Sequence, residues 1–385
     1  MMKTIRRIVT GNDRQGRSRI TWDGLAPGGH ESEFPGRGHT DFWVWRQTPQ
    51  PLDGSEDTGL WPDEFPGPKG GGHLRVVHWL PNGSDPSRVP PIVQPHSPVI
   101  SADGRSWDRG GGNNFSLSSN HKTESVDFGI VLEGERVLSL DDYETVIKPG
   151  DIVIQVGAWH LWDSSRIGCH MAFDMVSADF ADGPQGLQQG DDPVMLPQGD
   201  RPLPPGVTAQ RRIVTIDREP GKSTLVTDSF SPDLRTDPAR PGFALQRMWV
   251  IDGHPAKIVR ESLHLPHVLV PPARGTVLNV LTIPPDQAWK GKAGKAEAQA
   301  YYASVGASKI ATCASIAGNA YSHKSRTVDF CVVTQGEVTL MLDDGEVQLK
   351  AGEIAVNRGG NHAWSNRSNV PAVVAIASHD AGLKD

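Results

Sequence analysis

Apolar and polar residues alternate along several short stretches of the chain. The clearest is SVDFGIVLEGERVLSL, which begins at residue 125. One set of alternate positions is bulky and apolar: Val126, Phe128, Ile130 and Leu132. Successive side chains of a β-strand point to opposite faces of its sheet, so the stretch predicts a strand with one bulky face. The other face carries small residues and one acid, Asp127, followed by Gly129 and Val131.

Turn signals separate this strand from the next ones. DDYE follows it, KPGD comes a few residues later, and CHMAFDMVSAD closes the region with another apolar stretch. The chain has 42 Gly and 31 Pro in 385 residues, which is above the usual share of roughly 7% and 5%. Short strands at close spacing with such turns predict an all-β fold, an antiparallel sandwich or barrel.

The whole pattern occurs twice. Residues 121–162 align without a gap on residues 323–364, and 19 of the 42 pairs are identical. Earlier in the chain, RRIVTGNDRQG at residue 6 matches RRIVTIDREPG at residue 211. We therefore predict two domains of one fold, residues 1–181 (the first half) and 208–385 (the second half). They are joined by a Pro-, Gly- and Gln-rich linker, residues 182–207.

The two copies differ most in one irregular segment each. These are residues 101–120 in the first half and residues 290–309 in the second. The Ala, Glu and Gln content of the second segment predicts one short helix. Because the segments diverge between otherwise similar halves, we expect them to lie over the substrate sites.

Asp127 needs a partner if its face lines a barrel interior. His121 precedes it by six residues and His160 follows the next hairpin. Two imidazoles and a carboxylate are the ligands of the facial triad that holds a divalent metal with open positions. The sequence predicts one such set in each half: His121, Asp127 and His160, and His323, Asp329 and His362. The alternative is a hydrogen-bonded polar cluster without metal.

Five further residues are candidates for a substrate pocket: Gln155, Trp162, Cys331, Asn357 and Trp364. The tryptophans would form aromatic walls and the two amides would contact a ligand. Each also has an ordinary alternative: core packing for the tryptophans, loop hydrogen bonds for the amides and a buried apolar filler for Cys331. His30 and His39 lie in a Gly-rich stretch that we expect to be exposed and to form no site.

These residues give the chain a resemblance to the cupins, small jelly-roll β-barrels with two short motifs. His121, Asp127 and Gly134 match the first motif, and Gly150, Gly157 and His160 match the second. The whole chain therefore resembles a tandem-duplicated bicupin. It departs from the pattern because Thr123 and Ser325 replace a histidine, aspartate replaces glutamate, and Gln155 and Asn357 replace a proline.

The resemblance implies a metal-dependent enzyme with Fe(II) as the favoured ion, and Mn, Ni or Zn as alternatives. The expected substrate is a small phenolic, enolic or polyketide-like compound, and the expected reaction is dioxygenation. One alternative is a lyase, isomerase, decarboxylase or cyclase that uses the metal without oxygen. The other is a bicupin that binds a small molecule without catalysis. Cupins are commonly dimeric, so a homodimer is possible.

Charge and composition bear on location and partners. The net charge of −7 shows no basic stripe, so we expect no nucleic-acid partner. No apolar run reaches the roughly 20 residues that span a bilayer, and no apolar signal core follows the basic N-terminus. Three cysteines cannot form a disulfide framework. A cytoplasmic protein without membrane contact is therefore expected.

Overall fold

The structure is a computed structural model of the chain. It describes residues 2–32, 36–80, 94–111, 119–180, 202–313 and 316–382, with backbone alone for residues 164–166. Most of the predicted linker lies outside the described residues. Its last part, residues 202–207, contains no helix or strand.

The strands of the first half run to residue 177. They are β1 (Arg6–Asn12), β2 (Ser18–Leu25), β3 (Gly28–Glu31), β4 (Gly38–Trp45), β5 (Gln50–Pro51), β6 (Gly72–Trp79), β7 (Val99–Ile100), β8 (Ser106–Asp108), β9 (His121–Thr123), β10 (Ser125–Ser139), β11 (Glu144–Ile147), β12 (Ile152–Val156) and β13 (Leu161–Ser177). A single 3₁₀ turn, Thr58–Leu60, lies between β5 and β6.

The second half repeats the strands of the large sheet and adds one α-helix, which a 3₁₀ turn, Asp286–Ala288, precedes. Its elements are β14 (Arg211–Glu219), β15 (Lys222–Phe230), β16 (Leu234–Thr236), β17 (Ala244–Ile251), β18 (Thr276–Ile283), α1 (Lys295–Ser304), β19 (Thr327–Gln335), β20 (Glu337–Leu342), β21 (Glu346–Lys350), β22 (Ile354–Arg358), β23 (His362–Ser365) and β24 (Ala372–Gly382). The helix α1 confirms the helix predicted within residues 290–309. With 51% strand and 5% helix, the protein has the all-β fold that was predicted.

Each half is built around one large sheet. In the first half the strand order is β15-β14-β12-β10-β13-β6-β4-β3, and in the second it is β16-β17-β18-β24-β19-β22-β1-β2. The opposite face of the second barrel is the small sheet β21-β20-β23. In the first half, the bent ends of β10 and β13 form the equivalent face with β11.

The two halves exchange their first hairpins. Strand β1 of the first half pairs in parallel with β22 of the second, and β14 of the second half pairs in parallel with β12 of the first. Each hairpin therefore completes the sheet of the other half. The alternation of apolar and polar residues within each hairpin is compatible with pairing in its own half or in the other half. The sequence therefore did not indicate this exchange.

The two large sheets share one core. As the alternation predicts, Val126 and Phe128 of β10 lie in this core, where they join Phe330 and Val332 of β19. Val131 points the other way and belongs to the interior of the first barrel. Fully burying one such side chain contributes about 1.5–3 kcal/mol. The bulky face that the sequence places outside each barrel is thus buried against the other barrel.

Within the described part of the chain, no helix has both the length and the apolar character needed to cross a membrane.

Candidate metal centre and its second copy

Two histidines are brought together at the interior end of the first barrel. His121 begins β9 and His160 immediately precedes β13, and each backbone N–H donates to the carbonyl of the other at 3.0 Å. The centroids of their rings are 4.3 Å apart. These two backbone hydrogen bonds bridge two segments that are 39 residues apart in the chain. They place both imidazole rings side by side in the barrel.

The tautomer of both histidines follows from their hydrogen bonds. His121 Nδ1 lies 2.9 Å from the carbonyl oxygen of Ser119, and His160 Nδ1 lies 2.8 Å from that of Ala158. A carbonyl only accepts, so each Nδ1 carries the proton and each Nε2 keeps its lone pair. Burial lowers the pKa of both rings, which keeps them neutral. A backbone carbonyl on one nitrogen is the usual support of a metal-ligating histidine.

Asp127 lies in the same cavity on β10. Its side chain is buried, and its Oδ1 has no hydrogen-bond partner. Burial raises the pKa of this carboxyl group to about 7, the charge of Asp174 adds to the effect, and a hydrogen bond from Ser125 opposes it. An isolated buried carboxylate is costly, so an orphaned oxygen of this kind fits a cation that the residue would hold.

Gln155 is the direct cross-strand partner of Asp127 on β12. Both polar atoms of its amide, Oε1 and Nε2, are buried without a hydrogen-bond partner. Trp162 packs edge-on against His160 at 5.7 Å between ring centroids. Asp127, Gln155 and Trp162 line one open cavity of 700 Å³. Both histidines and residues of β6 and β8 also line it. The cavity therefore has the size of ordinary small-molecule sites.

The second half reproduces the histidine pair. His323 and His362 exchange backbone hydrogen bonds of 3.0 Å, and their ring centroids are 4.2 Å apart. His362 Nδ1 lies 2.9 Å from the carbonyl of Gly360, and Tyr302 of α1 contacts His323 Nδ1 at 2.9 Å. The repeat thus preserves both the bridge and the support of one ring by a backbone carbonyl.

The surroundings of the second pair differ in one decisive way. Asn357 Nδ2 lies 3.2 Å from Asp329 Oδ2 and 3.2 Å from His362 Nδ1, whereas Gln155 makes no such link. Asn357 Oδ1 also accepts a 2.7 Å hydrogen bond from Thr10 of the exchanged strand β1. Asn357 therefore joins Asp329 to the exchanged strand by hydrogen bonds, whereas His362 Nδ1, which donates to Gly360, only packs beside the amide.

The second pocket is also much smaller. It has a volume of 80 Å³ and is closed by aromatic residues that include Tyr301 and Tyr302 of α1. Cys331 and Trp364 line it, and burial raises the pKa of the Cys331 thiol well above its ordinary value. The irregular segments therefore do contribute walls: α1 here, and Trp107 of β8 in the first half.

The asymmetry between the halves can be tested with two equivalent threonines. Thr10 Oγ1 donates to Asn357 and accepts from the N–H of Arg358 at 3.1 Å, whereas the hydroxyl of Thr215 is buried without a partner. We expect Thr10→Val to lower the free energy of unfolding by about 1–3 kcal/mol, because it leaves both partners unsatisfied. Thr215→Val should be neutral or stabilising in the same denaturant titration. Equal losses in the two variants would contradict this account.

A third histidine cluster was missed by the sequence. Among the described residues, one group of three possible metal ligands has all its ligand atoms within 4.8 Å of one another: His30, His39 and Asp63. In the two predicted sets, the ligand atoms of the two histidines and the aspartate do not all lie within 4.8 Å of one another. The two histidine rings of each set are nevertheless in contact. His30 and His39 are strand partners, and both lie within the stretch GGHESEFPGRGH, so their closeness along the chain is visible in the sequence. The approach of Asp63 comes from the fold.

Short segments of the chain are similar to three fungal proteins. No family model matches the chain. Phomopsin biosynthesis cluster proteins C′ and D of Diaporthe leptostromiformis are each 47% identical over 53 residues, which is 14% of this chain and 28% of theirs. Oryzines biosynthesis cluster protein J of Aspergillus oryzae is 51% identical over 55 residues, 14% of this chain and 31% of its own length. The chain thus spans about a third or less of these relatives.

Similar solved structures cover most of the chain at low identity. GK1651 of Geobacillus kaustophilus covers 99% of this chain and 98% of its own, with 12% identity and a TM-score of 0.38. A cupin 2 conserved barrel protein of Leptotrichia buccalis covers 80% and 83%, with 7% identity and a TM-score of 0.33. The pirin YhhW of Escherichia coli, solved in complex with nickel(II), covers 92% and 95%, with 8% identity and a TM-score of 0.34. All three TM-scores are below 0.5, so these neighbours place no constraint on the activity of this chain.

Proposed function

We propose that the open cavity of the first half is a metal-dependent active centre for a small organic substrate. The ligands would be His121 and His160 through Nε2, and Asp127 through its carboxylate. One observation carries the proposal: two imidazoles with fixed tautomers share a cavity with a carboxylate oxygen that has no partner. This donor set suits a divalent first-row ion, with Fe(II) favoured.

A bound ion would supply Lewis acidity and open positions for a substrate oxygen and for dioxygen. The chain's own residues would hold and orient the substrate. The indole of Trp162 in the cavity wall suits a phenolic, enolic or polyketide-like compound, and the unpaired amide of Gln155 can bind a hydroxyl or carbonyl group. The names of the relatives, which refer to the biosynthesis of phomopsin and oryzines, also support a small organic substrate. We propose dioxygenation as the reaction.

The first test is the metal content of the purified full-length chain. His160→Ala should lose one equivalent of metal relative to wild type, because it removes one ligand of the open site. His362→Ala is the matched control, since it alters the equivalent histidine of the second half. We expect it to retain the equivalent that His160→Ala loses. Unchanged metal content in His160→Ala would overturn the proposal.

The reaction class is tested separately. Wild type loaded with Fe(II) should consume oxygen in proportion to substrate when phenolic and enolic compounds are screened, and His160→Ala should not. Turnover without oxygen uptake would replace dioxygenation by a lyase, isomerase, decarboxylase or cyclase reaction. Metal binding without turnover of any compound would favour a binding protein.

A further inference from the structure

Two histidines face each other across the edge hairpin of the first half. His30 of β3 and His39 of β4 are directly opposed in the antiparallel register. Their rings stack, with centroids 4.9 Å apart and planes inclined by 25°. Directly opposed residues share one face of a sheet, so both imidazoles are held on the same side.

Asp63 reaches this pair from the loop that follows the 3₁₀ turn Thr58–Leu60. His39 Nε2 lies 3.2 Å from Asp63 Oδ1. One ligand atom from each of His30, His39 and Asp63 lies within 4.8 Å of the other two. Ligand atoms around a tetrahedral Zn²⁺ lie about 3.4 Å apart, given bond lengths of about 2.0–2.2 Å. Small side-chain rotations therefore suffice to close the set around an ion.

The local charge favours a cation despite a nearby arginine. Arg75 Nη2 contacts Asp63 Oδ1 at 2.5 Å, but the same guanidinium also pairs with Asp41 at 2.7 Å. Both His39 Nε2 and Arg75 Nη2 approach the same oxygen of Asp63, so the carboxylate is already the point where positive and donor groups converge. One arginine and two carboxylates leave one negative charge beside two imidazoles. A divalent ion would compensate this charge.

We infer that His30, His39 and Asp63 form a binding site for a late first-row divalent cation such as Zn²⁺. The site lies at the mouth of the first-half cavity, since His39 and Asp63 also line its wall. It shares no ligand with the centre proposed inside the barrel. A bound ion would fasten the edge hairpin β3–β4 to the loop that carries Asp63, and would leave an open position toward solvent and cavity.

The experiment titrates Zn²⁺ into the full-length, chelator-stripped chain by calorimetry and measures bound zinc after dialysis. We expect His30→Ala and Asp63→Asn each to bind one Zn²⁺ fewer than wild type. The control His264→Ala removes an exposed histidine outside the group and should bind as wild type does. His30 is exposed, so its replacement should not impair folding, which circular dichroism would verify.

Two results would overturn the inference. One is an unchanged number of bound Zn²⁺ ions in His30→Ala, and the other is an equal loss in His264→Ala, which would mean non-specific binding to surface histidines. His160→Ala separates this site from the inner centre. If only His160→Ala loses an equivalent, the mouth site is refuted and the proposed function stands. If only His30→Ala and Asp63→Asn lose one, the mouth site stands and the inner centre does not take Zn²⁺, so the inner centre is then decided by the metal content of His160→Ala.

Discussion

Replacing Asp217 by alanine is expected to lower the free energy of unfolding by about 3–5 kcal/mol. Asp217 Oδ2 pairs with Lys122 Nζ at 2.7 Å, and both side chains are fully buried. Its Oδ1 also accepts a 2.9 Å hydrogen bond from the backbone N–H of Trp159. Removal of the carboxylate would take the charged partner of the ion pair away from the buried Lys122 ammonium group and an acceptor away from the buried N–H of Trp159.

The position of this pair explains why the effect should be large. Lys122 belongs to β9 of the first half, next to His121, whereas Asp217 lies on the exchanged strand β14 of the second half. The ion pair therefore fastens the exchanged hairpin to the barrel that it completes. We expect loss of the pair to loosen the wall that holds His121 as well as to lower global stability.

Denaturant titration measures the effect, and two variants control it. Lys324, the repeat equivalent of Lys122, is exposed, and its ammonium group donates to the carbonyl of Gly16 at 3.1 Å. Lys324→Ala should therefore change stability by about 0.5 kcal/mol or less. The double variant Lys122→Met with Asp217→Leu should recover most of the loss, because apolar residues can replace a buried ion pair. A loss in Asp217→Ala no larger than in Lys324→Ala would contradict the role of the pair.

Asp127→Asn should stabilise the metal-free protein at high pH. The pKa of Asp127 is raised from an ordinary 3.8 to about 7 by burial, so the native state binds a proton that the unfolded state releases between these values. The wild type therefore loses stability from this group as the pH rises from about 4 to about 7. At about 1.4 kcal/mol for each pH unit, the loss amounts to about 4 kcal/mol.

The asparagine variant lacks this titration. Its advantage over wild type should be small near pH 4 and grow to about 4 kcal/mol at pH 8, as measured by unfolding of both proteins in a chelator. Saturating divalent metal should stabilise the wild type more than the variant, because the ion compensates the carboxylate. A constant difference between the two proteins across this pH range would contradict the assignment of the buried charge.

Much of the fold could be predicted because it depends on local patterns. The period of two in SVDFGIVLEGE correctly separates Phe128, which enters the shared core, from Val131, which faces the barrel interior. The repeat at 202 residues places His121 and His160 in positions equivalent to His323 and His362, and the structure bridges each pair in the same way. The composition of residues 290–309 correctly predicts α1.

The candidate site could be predicted only in part. Spacing along the chain grouped His121 with His160 and His323 with His362, but it missed the stacked pair of His30 and His39 and could not show whether the surroundings of any pair are satisfied. Gln155 and Asn357 occupy equivalent places and differ by one methylene group, yet one amide is unpaired and the other links Asp329 to Thr10. Asp63 escaped notice because nothing in its local sequence relates it to His30 and His39.

The sequence by itself determined the all-β class, the two similar units, the two faces of each central strand and the histidines that pair. These features follow from two signals in the sequence. Alternation of apolar and polar residues acts over a few residues, and the repeat recurs at a constant spacing of 202 residues. Only the tertiary structure decided which hairpin completes which barrel. The hairpins that begin with RRIVTG and RRIVTI have nearly the same pattern of apolar positions, so either sheet would accept either one. The choice between them depends on long-range contacts, such as the buried pair of Lys122 and Asp217, that no local pattern encodes.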